Sequence, residues 1–303
     1  MMLERFEPAG SGSFIEFLPE QGGAIHQIGL DAGRGGSPIL LLAPDSPGEM
    51  QENPWFRGRF LFPFNDRIPR GRYVWRGVAH QLPVNDAPSG DAIHGFAYRL
   101  PARVTRRDPE TGRLSLQAEV VEEPGYPFRV RLTVDVHIAQ SVRFELTVVN
   151  TGEVAAPLSV GWHPYFRFPA SGGRNVTLKR PATHYVPVDD SLLPTGGILP
   201  VTGTAFDFTT PRYLTEDELD LAYTDPTGEV ILAGDAGTVR MELDTSFFPY
   251  LQVFLPPDRR SIALEPVTAA TNAFNLPSFG LIELEPGEKR SGWVTITATH
   301  ARD

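Results

Sequence analysis

The chain has 303 residues, of which 41% are hydrophobic and 21% are charged, and its formal net charge is −10. This composition is typical of a folded globular protein, and the acidic charge argues against a nucleic-acid partner. The chain contains no cysteine, which excludes disulfides, thiolate nucleophiles and Cys-ligated zinc. No signal segment and no apolar run of the roughly 18 residues that span a membrane is visible, so we expect a cytoplasmic protein without a membrane partner.

Polar and apolar residues alternate wherever the chain is regular. This period of two predicts strands with one buried face, over residues 129–138, 141–148, 238–243 and 294–298. Turn-forming residues separate the strands, at 108–112, 150–152, 225–228 and 285–287. Residues 72–82 are typical of a hairpin that turns at Arg76 and Gly77.

Helical patterning is nearly absent, and only residues 215–219 have the pattern of a single helical turn. The glycine-rich stretch 33–36 lacks the spacing of a phosphate-binding loop and is predicted to be a plain turn. Many short strands without a repeat of fixed period predict an all-β fold. We therefore expect one large antiparallel β-sandwich domain over residues 1–303.

Two apolar stretches run directly into a titratable residue and then a proline. Glu265 precedes Pro266, and because proline has no backbone N–H, a strand is expected to end at Glu265. His163 precedes Pro164 within an aromatic stretch. Aromatic faces suit the C–H face of a sugar, and an imidazole transfers protons near neutral pH. The alternatives are a solvated strand-end glutamate and a structural histidine in an aromatic core.

Three further polar residues have apolar or glycine neighbours. Arg67 follows the apolar run 60–64, and its guanidinium is either a structural ion pair or a fork for ligand oxygens. His94 precedes Gly95, which suits a close approach of the backbone to a ligand, although a loop histidine is the alternative. Asp220 lies between two leucines and either points at a polar ligand or belongs to a solvated acidic loop.

Taken in chain order, these stretches resemble the aldose 1-epimerases, or galactose mutarotases. The resemblance covers nearly the whole chain and rests on residues 65–73, 93–95, 163–166, 219–220 and 265–275. The most specific elements are His-Pro-Tyr-Phe at 163–166 and Glu-Pro-Val-Thr-Ala-Ala-Thr-Asn-Ala-Phe-Asn at 265–275. There are two departures: Asp66 interrupts the usual Asn-Arg-Ile, and Phe96 stands where galactose mutarotases commonly have a second glycine after the histidine.

The resemblance implies a galactose mutarotase-like sandwich that interconverts the α and β anomers of a free aldose. Glu265 would be the base at the C1 hydroxyl and His163 the acid at the ring oxygen, while Arg67, His94 and Asp220 would hold the sugar. The expected partner is a monosaccharide substrate, with no metal or organic cofactor, and the chain is expected to be a monomer or a homodimer. The phosphate-reading arginine pattern of the hexose-6-phosphate epimerases is missing, which favours a free sugar.

Two other functions use the same residues differently. A glycoside hydrolase or lyase would need Glu265 and Asp220 as a carboxyl pair across a glycosidic bond. A non-catalytic sugar-binding protein would have no need for both His163 and Glu265. For the mutarotase, we expect activity to fall at low pH as Glu265 takes up a proton and at high pH as His163 loses one.

Overall fold

The computed structural model describes residues 2–31, 39–43, 53, 55–168, 175–215, 218–224, 227–235 and 237–300. These residues form strands and short 3-10 turns, and none of them lies in an α-helix. Accordingly, no helix within the described ranges is long and apolar enough to cross a membrane. The 3-10 turns are Pro19–Gln21, Pro69–Gly71, Ala97–Arg99 and Pro277–Phe279.

The strands of the first half of the chain are β1 Glu4–Phe6, β2 Phe14–Leu18, β3 Ala24–Leu30, β4 Ile39–Leu40, β5 Phe60–Leu61, β6 Arg67–Ile68, β7 Arg72–Trp75, β8 Val78–Gln81, β9 Ala92–Ile93, β10 Arg103–Asp108, β11 Arg113–Glu123, β12 Tyr126–Ile138 and β13 Ser141–Asn150. Those of the second half are β14 Ala156–Leu158, β15 Gly161–Trp162, β16 Tyr165–Arg167, β17 Thr177–Lys179, β18 His184–Tyr185, β19 Leu199–Pro200, β20 Arg212–Tyr213, β21 Asp220–Thr224, β22 Glu229–Gly234, β23 Gly237–Leu243, β24 Tyr250–Phe254, β25 Ser261–Val267, β26 Ile282–Leu284 and β27 Lys289–His300.

Two large antiparallel sheets face each other. The nine-stranded sheet has the order β10-β11-β12-β13-β27-β23-β22-β17-β20, and the eight-stranded sheet has the order β19-β18-β21-β24-β25-β15-β5, with β16 also paired to β25. Alternate residues of the long strands point into a common core. Across that core, the ring centroids of Phe144 in β13 and Trp162 in β15 lie 4.7 Å apart. The all-β sandwich predicted from the alternation is confirmed.

The alternating stretches predicted as strands lie in β12, β13, β23 and β27. The predicted hairpin is formed by β7 and β8, whose last pair, Trp75 with Val78, leaves Arg76 and Gly77 as the turn. Residues 33–36, 216–217 and 225–226 lie outside the described residues, so the expected glycine-rich turn, helical turn and Asp-Pro turn that include them stay predictions. The single domain over 1–303 also stays a prediction.

The predicted end of a strand at Glu265 is wrong, because β25 continues to Val267. The backbone N–H groups of Leu264 and Thr268 donate to the neighbouring segment around β15, at 3.3 and 2.9 Å. Since N–H groups of an antiparallel strand alternate between its two neighbours, Pro266 removes one bond on that side only, and the pairing with β24 continues past it. An extended Glu265 is also the conformation that a following proline favours.

Gly95 allows the turn after His94 to pack against the backbone of Phe62. Gly95 has φ of +69°, and a Cβ there would collide with the Phe62 carbonyl. That carbonyl accepts hydrogen bonds from the N–H groups of Phe96 and Ala97, at 2.7 and 3.0 Å, so it cannot move away freely.

We expect Gly95→Ala to lower the free energy of unfolding by about 1–3 kcal/mol more than Gly77→Ala. Gly77 has φ of +81°, but a Cβ added there would meet no atom within 4 Å beyond its chain neighbours, so its substitution adds backbone strain without a collision. Urea denaturation of the two variants measures the difference. Equal losses of stability would contradict the role assigned to the Phe62 carbonyl.

Candidate active site

The structure brings the five side chains predicted from the sequence into one cavity of about 380 Å³, a size usual for small-molecule sites. They come from β6, the turn after β9, the break between β15 and β16, the start of β21, and β25. The five residues are Arg67, His94, His163, Asp220 and Glu265. A second cavity of about 390 Å³, between β4 and β22, contains none of them, and its described lining residues include no carboxylate side chain. The five roles stay predictions, but their proximity is a feature of the structure.

Glu265 and His163 form the floor of the cavity. They are 3% and 5% exposed, respectively. Oε1 of Glu265 lies 3.4 Å from Nδ1 of His163, and this Nδ1 makes no hydrogen bond to any described residue. The imidazole stacks on Tyr165, with ring centroids 4.9 Å apart. A carboxyl and an imidazole are therefore close enough to reach adjacent atoms of one small ligand.

Burial controls the protonation of this pair. It raises the pKa of Glu265 well above its ordinary range, and the charges of Asp66 and Asp220 add to the effect. Burial also lowers the pKa of His163 well below its ordinary range, with further contributions from His94 and Arg59. Both shifts favour the form of the resting pair in which the carboxyl holds the proton and the imidazole is neutral, whereas the sequence led us to expect an ionised Glu265 and a protonated His163.

His94 is held as a neutral hydrogen-bond donor. Its Nδ1 accepts the backbone N–H of Asp66 at 3.1 Å, and its own backbone N–H donates to the Asp66 carbonyl at 3.1 Å. Because Nδ1 is an acceptor, the ring proton is on Nε2. Burial lowers the pKa of His94 to about 3, and the charges of Arg67 and Arg59 act in the same direction.

Arg67 is both an ion-pair partner and a cavity residue, so the two interpretations of its guanidinium are compatible. Nη1 of Arg67 lies 2.9 Å from Oδ2 of Asp86, and Nε lies 4.0 Å from Oδ1 of Asp66. The Arg67 carbonyl also accepts the backbone N–H of Asn272 at 3.0 Å, which joins the loop after β25 to the site.

Asp220 starts β21 and faces the cavity, so the alternative of a solvated acidic loop does not fit the structure. One carboxylate oxygen accepts a hydrogen bond of 2.8 Å from Nε2 of Gln252. Gln252 pairs with Glu265 across β24 and β25 and shares its face of the sheet. Burial raises the pKa of Asp220 to about 7, and the charge of Asp66 adds to the rise.

Sequence reasoning missed four polar residues that line the cavity, namely Asn65, Asp66, Asp86 and Gln252. Oδ1 of Asn65 is buried and has no hydrogen-bond partner among the described residues. The sequence identified Asp66 only as the residue that interrupts the Asn-Arg-Ile motif, and not as a cavity residue. Gln252 shares one face of β24 with Tyr250 and Phe254, a relation visible only once the two faces of the strand are assigned. We find no sequence signal for Asp86.

Backbone strain is concentrated around the cavity. Four non-glycine residues that line it have positive φ, between 52° and 61°: Phe56, Asp66, His94 and Leu192. Such conformations cost free energy and persist only where the surroundings enforce them. Within the described residues, no group of three or more His, Asp or Glu side chains is arranged to hold a metal ion.

A family model described as aldose 1-epimerase matches residues 16–297 of the chain. The chain therefore belongs to the aldose 1-epimerase family, as its motifs predicted. It is 27% identical to the uncharacterized protein YihR of Escherichia coli K12, over 82% of this chain and 80% of that protein. It is 29% identical to galactose mutarotase of Mus musculus, over 58% of this chain, and this match spans only about half (51%) of the mouse protein.

Solved structures share the fold at low sequence identity. The GalM/aldose epimerase homologue of C. elegans superposes with a TM-score of 0.86 at 19% identity, over 99% of this chain and 100% of that chain. Galactose 1-epimerase of Lactobacillus acidophilus NCFM superposes with a TM-score of 0.78 at 17% identity, over 100% of both chains. These two structures support the galactose mutarotase-like sandwich and nothing beyond the fold.

Asp220→Asn should reduce the dependence of stability on pH. The raised pKa of Asp220, about 7 against an ordinary 3.8, means that the folded state holds a proton that the unfolded state has lost between these values. The free energy of unfolding therefore falls as pH rises through this window. We expect the wild type to lose more stability than the variant between about pH 4 and pH 7 in denaturant titrations. Parallel pH curves would contradict a raised pKa at Asp220.

Proposed function

We propose that the protein is an aldose 1-epimerase that interconverts the α and β anomers of a free aldose. The observation that carries the proposal is the pair at the cavity floor, Glu265 and His163, whose side-chain atoms lie 3.4 Å apart. Anomer interconversion requires one group at the C1 hydroxyl and one at the adjacent ring oxygen. A carboxyl and an imidazole at this separation match those two neighbouring atoms.

The reaction moves one proton at each of two positions. Glu265 removes the proton from the C1 hydroxyl while His163 donates a proton to the ring oxygen, and the bond from C1 to the ring oxygen breaks. Rotation about the C1–C2 bond presents the other face of the aldehyde. The reverse transfers then close the ring and restore both side chains, so that no proton is gained or lost overall.

The single proton of the resting pair is sufficient for this cycle. The resting form, with a protonated Glu265 and a neutral His163, has the same number of protons as the reactive form with a carboxylate and an imidazolium. Moving the proton from the carboxyl to the imidazole interconverts the two forms without exchange with solvent. The pair therefore titrates as a unit, and its apparent pKa values belong to both residues.

The remaining residues would hold the sugar. His94 offers the Nε2 proton as a donor, and Asn65 offers a buried acceptor that no described residue uses. Asp220 and Arg67 are placed to accept from and donate to ring hydroxyls. Oligomeric state and a cytoplasmic location stay predictions.

The two alternative functions have less support. In a glycoside hydrolase the partner of Glu265 across the bond would be a second carboxyl, about 5–5.5 or 6.5–9.5 Å away. Here the group next to Glu265 is an imidazole. A protein that only binds sugar would gain nothing from the cost of burying this pair, which favours catalysis.

Glu265→Gln and His163→Asn should each lower the rate of mutarotation by about 10²-fold or more, because each removes one proton-transfer group and keeps a similar shape. Polarimetry of freshly dissolved α-anomers, corrected for spontaneous mutarotation, measures the rates. The double variant should be little slower than either single variant, since the two groups act in one sequence. Full activity in Glu265→Gln would rule out the proposed mechanism.

Plotted against pH, kcat/KM should show a plateau with a fall at low pH and another at high pH. The residue responsible for each fall is the opposite of the one expected from the sequence. The lowered pKa of His163 makes the low-pH limb the uptake of a second proton by the imidazole. The raised pKa of Glu265 makes the high-pH limb the loss of the carboxyl proton. Carbon-13 NMR of the Glu265 carboxyl should follow the high-pH limb, and a carboxyl that titrates with the low-pH limb would contradict this assignment.

A further inference from the structure

The charged side chains of the cavity are unbalanced. Three aspartates surround the guanidinium of Arg67: Asp86 at 2.9 Å, Asp66 at 4.0 Å, and Asp220, whose charge also acts on Arg67. Arg67 is the only arginine or lysine among the described residues that line the cavity. One positive charge therefore faces three aspartates on the side of the cavity that would hold the sugar hydroxyls.

The histidines do not supply the missing positive charge. Burial keeps the pKa values of His94 and His163 below neutrality, so both rings are uncharged in the resting site. Arg59 stacks on Phe56, with the guanidinium carbon 5.0 Å from the ring centroid, and does not line the cavity. Among the described residues of the lining, no cation other than Arg67 therefore balances the three aspartates.

Two of the aspartates have raised pKa values in this acidic cavity. Burial raises the pKa of Asp66 and that of Asp220, and the charge of Asp66 adds to the rise at Asp220. A cation bound between the two carboxyls would stabilise their ionised forms and release any proton they hold. The cavity therefore gains most from a ligand that brings a positive charge with it.

An unsatisfied polar atom in the same lining indicates that a ligand completes this site. Oδ1 of Asn65 is buried, belongs to a residue that is 5% exposed, and makes no hydrogen bond to the described residues. On Asp66, the hydroxyl of Thr271 donates to Oδ2, the backbone N–H of Arg67 also interacts with the carboxyl group, and Oδ1 lies 4.0 Å from Nε of Arg67. Asp220 has one oxygen on Gln252, and its second oxygen can accept from a ligand.

Building on the proposed function, we propose that this cavity selects aldoses by charge, favouring sugars with a protonated amine over neutral sugars and neutral sugars over acidic ones. An ammonium group has three donors and would bridge Oδ1 of Asp66 and the second oxygen of Asp220 with charge-assisted hydrogen bonds. An acidic sugar would have to use Arg67, whose guanidinium is already hydrogen-bonded to Asp86. The ligand class is therefore the amino sugars, with the amine on a carbon other than C1.

The test compares dissociation constants, measured by NMR titration at about pH 6.5, where primary amines are protonated. The probes are glucose and galactose, their monoamino-deoxy forms at C2, C3, C4 and C6, the N-acetyl form of each, and the corresponding uronic acids. At least one amino sugar should bind about tenfold or more tightly than its neutral parent, and acetylation should abolish the gain. Added salt should weaken the preference.

Two substitutions test the charge selection, one on the preference for amino sugars and one on the discrimination against uronic acids. Asp66→Asn should reduce the ratio of amino-sugar to neutral-sugar affinity, whereas Asp86→Asn should free the guanidinium of Arg67 and improve the binding of uronic acids. Glu153→Gln is the matched control, because it removes one carboxylate from an exposed position outside the cavity and should leave both ratios unchanged.

If no amino sugar binds more tightly than its parent, or if uronic acids bind as well as neutral sugars, the proposed charge selection is wrong. A ratio that responds equally to Glu153→Gln and Asp66→Asn would also overturn it. Binding is measured apart from turnover, so these outcomes are independent of polarimetry. Failure to accelerate mutarotation of any sugar would instead count against the proposed function alone.

Discussion

The site depends on a carboxyl group that is kept inside a β-sheet. Glu265 lies within β25, which has paired strands on both sides, and it is 3% exposed. Removing a carboxylate from water is costly unless it is compensated, so this position favours the protonated acid. The neighbouring chain leaves strand geometry between β15 and β16, and this break brings an imidazole to the carboxyl. The proton that the two groups hold between them follows from this one arrangement.

Loops from distant parts of the chain are fixed around that floor by backbone hydrogen bonds. The Asp66 backbone holds the ring and the N–H of His94, and Asn272 donates to the Arg67 carbonyl. These loops contain residues in strained left-handed conformations. A rigid sandwich below them supplies the packing that maintains such strain, which fits a cavity whose polar groups are oriented before the ligand arrives.

The sequence predicted the sandwich because period-two alternation is a local signal that each strand carries by itself. It also predicted the five residues that meet in the cavity, since their motifs are short and ordered. The end of the strand at Glu265 was mispredicted because a proline forbids one hydrogen bond, not an extended backbone. The protonation of Glu265 and His163 could not be predicted, because it depends on burial by residues far apart in sequence. Gln252 was missed because the two faces of its strand are assigned only in the folded sheet, and Asp86 because its pairing with Arg67 has no local signal.

Asp66 acts through two separate groups: its backbone orients His94, and its side chain contributes charge to the cavity. The ring of His94 is oriented by a main-chain N–H, which every residue type except proline would provide. The side chain at position 66 is therefore free to change without loss of the group that orients the histidine. A lineage could exchange the carboxylate for the amide of asparagine, which also tolerates the positive φ of this position, and alter the electrostatic character of the cavity together with the pKa of Glu265. Divergence of substrate preference at this position would then proceed by single substitutions.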